Sequence, residues 1–189
     1  MHLTPGDPAI DTENFWIFGY ASLMWRPGFA FAEAQGALLP GYVRDMCFLS
    51  IHYRGTPAVP GLVCGLMPAA GGACRGRAYR IAPPDIEAAA AYLDGRELIT
   101  NIYLPRHLPI TLEDGREVTA RIYVSDTTHA QFVGGWTQAQ KVAAIAAGIG
   151  SEGCSLDYAA SLVEHMRGLG IEDAAMEEML HKAEALTKS

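Results

Sequence analysis

The 189-residue sequence predicts an α+β fold, in which an antiparallel, barrel-like β-sheet with one intervening helix is followed by a run of helices. Two observations predict it. Apolar strand patterns separated by glycine-containing turns fill the chain up to Trp136, and every later segment has helical periodicity. Strands first and helices afterwards are typical of this class.

The first strand is predicted at Phe15–Phe18, a wholly apolar run that stops at Gly19 and fits a buried strand leading into a tight turn. A second strand is predicted over 42–53, where aromatic and aliphatic residues dominate. A stretch rich in glycine and proline follows it, from Gly55 to Gly61.

Two hairpins are predicted next. One joins residues 62–67 to 73–81 through Gly71-Gly72, and the other joins 109–112 to 118–124 through Asp114-Gly115. Asp-Gly is the stronger signal, because it favours a type I′ turn in which both central residues have positive φ.

One helix is predicted between the hairpins, since Ile86, Ala89, Ala90 and Leu93 recur at helical spacing after Pro83-Pro84-Asp85. Three more apolar stripes predict three helices after Trp136. Their residues are Val142, Ile145, Ala146 and Ile149; Ala159, Leu162, Val163 and Met166; and Met176, Met179, Leu180 and Ala183.

We expect residues 1–14, which are acidic and lack apolar periodicity, to be a poorly ordered leader, and residues 15–189 to form a single domain. The net charge of −7 argues against nucleic acid or an anionic membrane as partner. The excess of acidic residues lies at the two ends of the chain. Residues 15–150 carry ten acids and eleven bases, ten of them Arg, so this segment can accept an anionic small molecule.

The four cysteines have no C-x-x-C or metal-ligand spacing and read as isolated thiols, so we expect no metal. No signal-peptide pattern or apolar run long enough for a membrane helix is present. We therefore expect a cytoplasmic protein with no membrane partner.

The turn Gly19-Tyr20-Ala21-Ser22-Leu23 is the first candidate for a functional site. Small residues directly after a buried strand can expose consecutive backbone N–H groups to an anionic ligand. The alternative is an ordinary connection.

Glu97 is the second candidate. If the helix continues through Gly95, the Glu97 carboxylate lies on the apolar face with Leu93, where desolvation would raise its pKa toward that of a general base at neutral pH. The alternative is a solvated helix end paired with Arg96.

Two further residues are weaker candidates. Ser22 lacks a G-x-S-x-G elbow and a recognisable partner His, which argues against an acyl-enzyme. Tyr123 alternates with Ile122 and Val124, so it shares a face with Arg121 that lines either solvent or a cavity.

The segment Phe18-Gly19-Tyr20-Ala21-Ser22-Leu23-Met24-Trp25 resembles the F-G-Y-G-S-L-[IM]-W signature of the ChaC-like, glutathione-specific γ-glutamylcyclotransferases. Further family-like pieces follow in the family's order, among them 52–57, 76–80, 92–97 and 153–158. The resemblance spans about residues 15–187.

This resemblance implies a small mixed barrel with flanking helices and the conversion of glutathione to 5-oxoproline and cysteinylglycine, without a cofactor. By position, Glu97 corresponds to the family's catalytic glutamate and Tyr123 to a substrate-contacting tyrosine. The implied γ-glutamyl-binding loop consists of Ile17, Phe18, Gly19, Tyr20, Ala21, Ser22 and Leu23.

Two departures from the family pattern leave the substrate open. Ala21 replaces the usual Gly, and Leu98-Ile99-Thr100-Asn101 lacks the usual glycine-rich link to the following Tyr. The alternatives are a cyclotransferase for other γ-glutamyl amino acids or amines, and a non-catalytic γ-glutamyl-ligand-binding protein.

Overall fold

The computed structural model describes residues 13–188, which form two compact units. The first contains residues up to 44 together with 66–126, and the second contains 45–65 and the residues from 127 onward. The predicted leader over 1–14 lies almost entirely outside the described residues. The single domain over 15–189 stays a prediction.

A closed five-stranded barrel contains the strands β1 (Phe15–Gly19), β2 (Glu33–Ser50), β3 (Gly61–Ile81), β4 (Tyr103–Leu112) and β5 (Glu117–Ser125), in the order β1-β3-β2-β4-β5. β1 runs antiparallel to β3 and parallel to β5. The barrel is therefore mixed, which confirms the predicted fold class.

The predicted hairpin at Gly71-Gly72 is wrong. The chain continues through both glycines as the single strand β3, and only Gly71 has a positive φ, of 75°. Gly41 has a φ of 78° inside β2. Glycines of this kind let a strand bend and continue, as at β-bulges, so they mark irregularities within long strands here.

The hairpin at Asp114-Gly115 is confirmed, because β4 and β5 pair antiparallel from Tyr103 opposite Ser125 to Thr111 opposite Glu117. Its predicted type I′ turn is wrong. Only Gly115 has a positive φ, of 91°, and its N–H bonds to the Leu112 carbonyl. This is the longer connection in which a type I turn is followed by a left-handed glycine.

Helix α1 (Ile86–Glu97) begins after a short 3₁₀ turn at Pro83–Asp85, as predicted, and runs through Gly95. Its apolar face packs on the inner side of the first unit. The resulting cluster contains Phe15, Ile17, Leu23, Tyr79, Ile81, Ile86, Ala89, Leu93 and Tyr123. The helix end that carries Glu97 is thereby fixed against the barrel.

The second unit contains three helices after Trp136, as predicted: α2 (Gln138–Ala147), α3 (Ser155–Gly168) and α4 (Ala174–Thr187). The assignment of Ile149 to the first apolar stripe is wrong, because this residue lies beyond the end of α2 in a short strand and is exposed. A two-stranded ribbon of β6 (Ile149–Gly150) and β7 (Gly153–Cys154) separates α2 from α3. A capping box between Thr137 and Gln140 starts α2. Within residues 13–188, no helix is long and apolar enough to span a membrane.

Candidate active site

The loop after β1 folds back tightly on the strand that it leaves. Beyond Gly19 it passes through Tyr20 and Ala21 into a 3₁₀ turn at Ser22–Met24. A Cβ atom on Gly19 would lie 2.8 Å from the Leu23 Cβ, closer than such atoms approach in proteins. Glycine is therefore required for this close approach.

Three buried side chains hold the loop in place. Arg44 Nε donates to the Tyr20 carbonyl at 2.6 Å, and Tyr79 Oη donates to the Leu23 carbonyl at 2.8 Å. The Tyr20 side chain itself donates from Oη to the Tyr123 carbonyl on β5, at 2.9 Å. Buried hydrogen bonds of this kind are costly to break, so the loop is pre-organised.

Ala21 does not have a left-handed backbone conformation. Its φ of −134° lies outside the left-handed region that favours glycine. The replacement of the family's usual Gly therefore demands no positive φ in this chain.

Glu97 is the last residue of α1, and its side chain is 16% exposed. Burial raises the pKa of its carboxyl, and the neighbouring Arg96 partly opposes the rise. The two sequence interpretations of Glu97 are both partly correct, because the carboxylate is largely buried and also ion-paired to Arg96. A largely buried carboxylate of raised pKa is suited to proton transfer near neutral pH.

Arg96 connects Glu97 to the loop. Its Nε lies 3.1 Å from Glu97 Oε1, and its Nη2 donates to Ser22 Oγ at 2.8 Å. A third nitrogen, Nη1, donates to the Arg26 carbonyl at 2.6 Å. Arg96 cannot accept a proton, so this contact does not make Ser22 a nucleophile.

A second network joins α1 to β5 one turn before Glu97. Asp94 Oδ1 accepts from Arg121 Nη2 at 2.6 Å and from Tyr123 Oη at 2.8 Å. Tyr123 is 2% exposed and Arg121 is 3% exposed, so their face of β5 does not line solvent. Burial, with Asp94 as hydrogen-bond partner, raises the pKa of the Tyr123 hydroxyl, which stays protonated.

The predicted residues thus fall into one region of the first unit. Arg96 joins the loop to Glu97, and Tyr20 joins the loop to the backbone of Tyr123. Ile17 and Phe18 have fully buried side chains within β1. Ile17 packs in the same buried cluster as Leu23 of the loop.

The sequence interpretation missed Arg44 and Asp94 and treated Arg96 only as a charge partner. Asp94 stands three residues before Glu97, and this helical spacing places the two carboxylates near one face. The three-residue spacing between Asp94 and Glu97 is the sequence signal that could have identified Asp94. No local pattern marks Arg44, which donates to the backbone carbonyls of Tyr20, 24 residues away, and of Arg75, 31 residues away.

Within residues 13–188, no group of three or more His, Cys, Asp or Glu side chains could hold a metal ion. All four cysteines lie in this range, and none of them forms a disulfide.

Comparison with known proteins places the chain in a family. The family model described as ChaC-like protein matches residues 15–186. The glutathione-specific gamma-glutamylcyclotransferase of Escherichia coli (strain K12) is 36% identical over 171 residues, which cover 90% of this chain and 73% of that protein. The glutathione-specific gamma-glutamylcyclotransferase 1 of Homo sapiens is 28% identical over 162 residues, 85% of this chain and 73% of that one. The chain belongs to the ChaC-like family.

The solved structures agree on the fold. The crystal structure of a yeast gamma-glutamyl cyclotransferase specific to glutathione matches with a TM-score of 0.83 at 21% identity, covering 92% of this chain and 96% of that one. At this identity the similarity shows the fold, which is the mixed barrel with helices described above.

Proposed function

We propose that this protein is a γ-glutamylcyclotransferase that converts glutathione to 5-oxoproline and cysteinylglycine. The observation that carries the proposal is the largely buried Glu97 carboxylate, held beside the Tyr20–Leu23 loop by Arg96. The relatives from Escherichia coli and Homo sapiens are named for the same reaction, which supports glutathione as substrate.

The reaction needs no enzyme nucleophile, because the substrate supplies its own. In glutathione the α-amino group of the γ-glutamyl residue can reach the γ-carbonyl carbon and close a five-membered ring. Intramolecular attack has a high effective molarity when the chain is held in a folded conformation. The task of the site is to hold that conformation and to move protons.

Glu97 is the proposed general base. Its carboxylate takes one proton from the α-ammonium, and the freed amine attacks the γ-carbonyl carbon. A pKa raised by burial makes this carboxylate a stronger base than a solvated glutamate. The carboxylate must be ionised at the outset, and the ion pair with Arg96 favours that form.

The proton then returns to the leaving group. The tetrahedral intermediate collapses when the bond between the γ-carbon and the cysteinyl nitrogen breaks. Protonated Glu97 donates to that nitrogen, and the regenerated carboxylate then takes the second proton from the ring nitrogen and passes it to the departing amine. Cysteinylglycine therefore leaves in its ammonium form, and the γ-glutamyl part leaves as 5-oxoproline. No water is consumed, and the carboxylate is regenerated.

The loop is the proposed γ-glutamyl-binding element. Backbone N–H groups within residues 20–23 would bind the substrate α-carboxylate or the developing oxyanion, where fixed dipoles stabilise charge better than water. The hydrogen bonds to Tyr20 and Leu23 support this role because they fix the backbone. Tyr123 remains a proposed substrate contact, although its hydroxyl is already bound to Asp94.

We further propose that the protein acts in the cytoplasm on a small molecule, without a metal, organic cofactor, nucleic acid or membrane partner. Four cysteines that form no disulfide suit a reducing compartment. The net charge of −7 disfavours binding to phosphate backbones.

The test is incubation of the purified full chain with glutathione, with products measured by mass spectrometry. We expect 5-oxoproline and cysteinylglycine in equal amounts. Free glutamate in place of 5-oxoproline would indicate hydrolysis and contradict the proposal. Faster release from γ-glutamyl-alanine would assign the enzyme to other γ-glutamyl compounds, and binding without turnover would identify a non-catalytic binding protein.

A further inference from the structure

The Arg96 side chain contacts both parts of the candidate site at once. Its Nε is 3.1 Å from Glu97 Oε1, and its Nη2 is 2.8 Å from Ser22 Oγ. The third nitrogen, Nη1, donates to the Arg26 carbonyl at 2.6 Å and lies 3.3 Å from Tyr92 Oη. Every nitrogen of the guanidinium is therefore engaged, and two of the partners are Glu97 and the loop.

We propose that Arg96 is a positioning residue that fixes the Glu97 carboxylate relative to the substrate-binding loop, with the Ser22 hydroxyl as its anchor on the loop. This inference rests on the proposed function and adds to it a positioning role for Arg96 and a role for the Ser22 side chain.

The geometry of arginine suits this role. The guanidinium is planar and rigid, so a bond to Ser22 at one nitrogen restricts where the nitrogen beside Glu97 can lie. The Arg26 carbonyl adds a third fixed point, two residues beyond the 3₁₀ turn. A lysine has one flexible ammonium group and cannot hold three acceptors in one plane.

The chemistry is sensitive to this spacing. Glu97 must reach the substrate ammonium while the loop holds the γ-glutamyl group, and an error of about 1 Å in such an arrangement can cost about a hundredfold in rate. The Glu97 side chain lies at the end of α1, where the last helical turn has fewer backbone hydrogen bonds to restrain it. The contact of the Arg96 side chain with the loop restricts the movement of the Glu97 side chain.

The Ser22 side chain then has a structural role, as the hydrogen-bond acceptor that holds Arg96. Its hydroxyl accepts a hydrogen bond from a permanent cation, which is the arrangement of a structural acceptor and not of an activated nucleophile. Ser22→Ala removes this acceptor and keeps the backbone N–H that the proposed loop uses.

The test is a double-mutant cycle on glutathione turnover, with Ser22→Ala, Arg96→Lys and the double variant. We expect each single variant to lower kcat about tenfold or more with KM changed less than about threefold, because positioning and not binding is lost. We expect the double variant to be about as slow as the slower single variant, since one contact serves both residues.

Arg80→Lys is a matched control. Arg80 Nε lies 3.1 Å from Glu33 Oε2, the same distance as in the Arg96–Glu97 pair, and neither residue belongs to the candidate site. We expect its kcat to stay within about twofold of wild type. Arg96→Gln provides a second variant if Arg96→Lys does not fold, as judged by circular dichroism.

Three results would count against the inference or its basis, and they can be told apart. Losses that multiply in the double variant would show that Ser22 and Arg96 act separately and would overturn the inference alone. A rise in KM with unchanged kcat would make Arg96 a binding residue and overturn it as well. Absence of 5-oxoproline from the wild-type reaction would overturn the proposed function and therefore the inference as well.

Discussion

Tyr20 Oη donates a hydrogen bond to the carbonyl of Tyr123 at 2.9 Å, across 103 residues of sequence. Both residues are buried, at 6% and 2% exposure. The bond ties the loop after β1 to β5. The same Tyr123 reaches Asp94 on α1 through its hydroxyl, so one residue lies between the loop and the helix that carries Glu97.

Tyr20→Phe removes only the donor of this bond and leaves a buried carbonyl with one partner fewer. We expect a loss of about 1–2 kcal/mol in the free energy of unfolding, measured by urea denaturation. We also expect a higher KM for glutathione, because the loop becomes less ordered. An unchanged stability and KM would show that the loop does not depend on this contact.

Gly19→Ala tests the close approach at the start of the loop. The new Cβ would meet the Leu23 Cβ at 2.8 Å, and we expect about 1–3 kcal/mol of destabilisation together with loss of turnover. Gly95→Ala is the control, because nothing lies within 4 Å of its Cβ position on α1. Alanine there should stabilise the helix by about 0.5–1 kcal/mol and leave turnover intact. Equal effects of the two substitutions would contradict this account of Gly19.

Ala21→Gly restores the family's usual residue. Because Ala21 has a φ of −134°, this position does not need glycine to reach a positive φ. We therefore expect kcat/KM for glutathione within about threefold of wild type and a slightly lower Tm, since glycine adds freedom to the unfolded chain. A sharp rise in kcat/KM, tenfold or more, would show instead that alanine compromises the loop.

The elements with local signals could be predicted from the sequence. The apolar run at Phe15, the helical stripe before Glu97 and the Asp114-Gly115 turn each give the correct element. The three stripes after Trp136 do so as well, apart from Ile149, which lies in β6. Gly71-Gly72 misleads because a glycine within a bent strand and a glycine in a turn look alike in one sequence. The pairing of neighbouring strands decides between them.

In the candidate site too, residues with a local sequence signal could be predicted and long-range contacts could not. Glu97 could be found because helical spacing places it on the apolar face, and the loop because small residues follow a buried strand. The contacts of Arg96 with Ser22 and of Asp94 with Arg121 join residues 74 and 27 positions apart. Such contacts depend on the closed barrel, which no local pattern specifies.

The pH dependence of kcat/KM should report Glu97. Its carboxyl must be ionised to accept the substrate proton, so activity rises with pH through its pKa. Burial raises this pKa, and the acidic limb should lie above the ordinary range of glutamate. Arg96→Gln removes the cation that opposes the rise, so it should move the limb to higher pH. A limb at the ordinary glutamate pKa in both proteins would contradict the assignment.

The most direct measurement is 5-oxoproline release from glutathione by wild type and by Glu97→Gln, each with its Tm. Gln keeps the shape of the side chain and removes its basicity. Because burial disfavours the charged carboxylate in the folded state, the Tm of Glu97→Gln at neutral pH should be no lower than that of wild type. Glu87→Gln, on the exposed face of the same helix, is the control and should retain turnover. We predict that Glu97→Gln folds and releases no 5-oxoproline, and near-wild-type release by that variant would contradict the central claim.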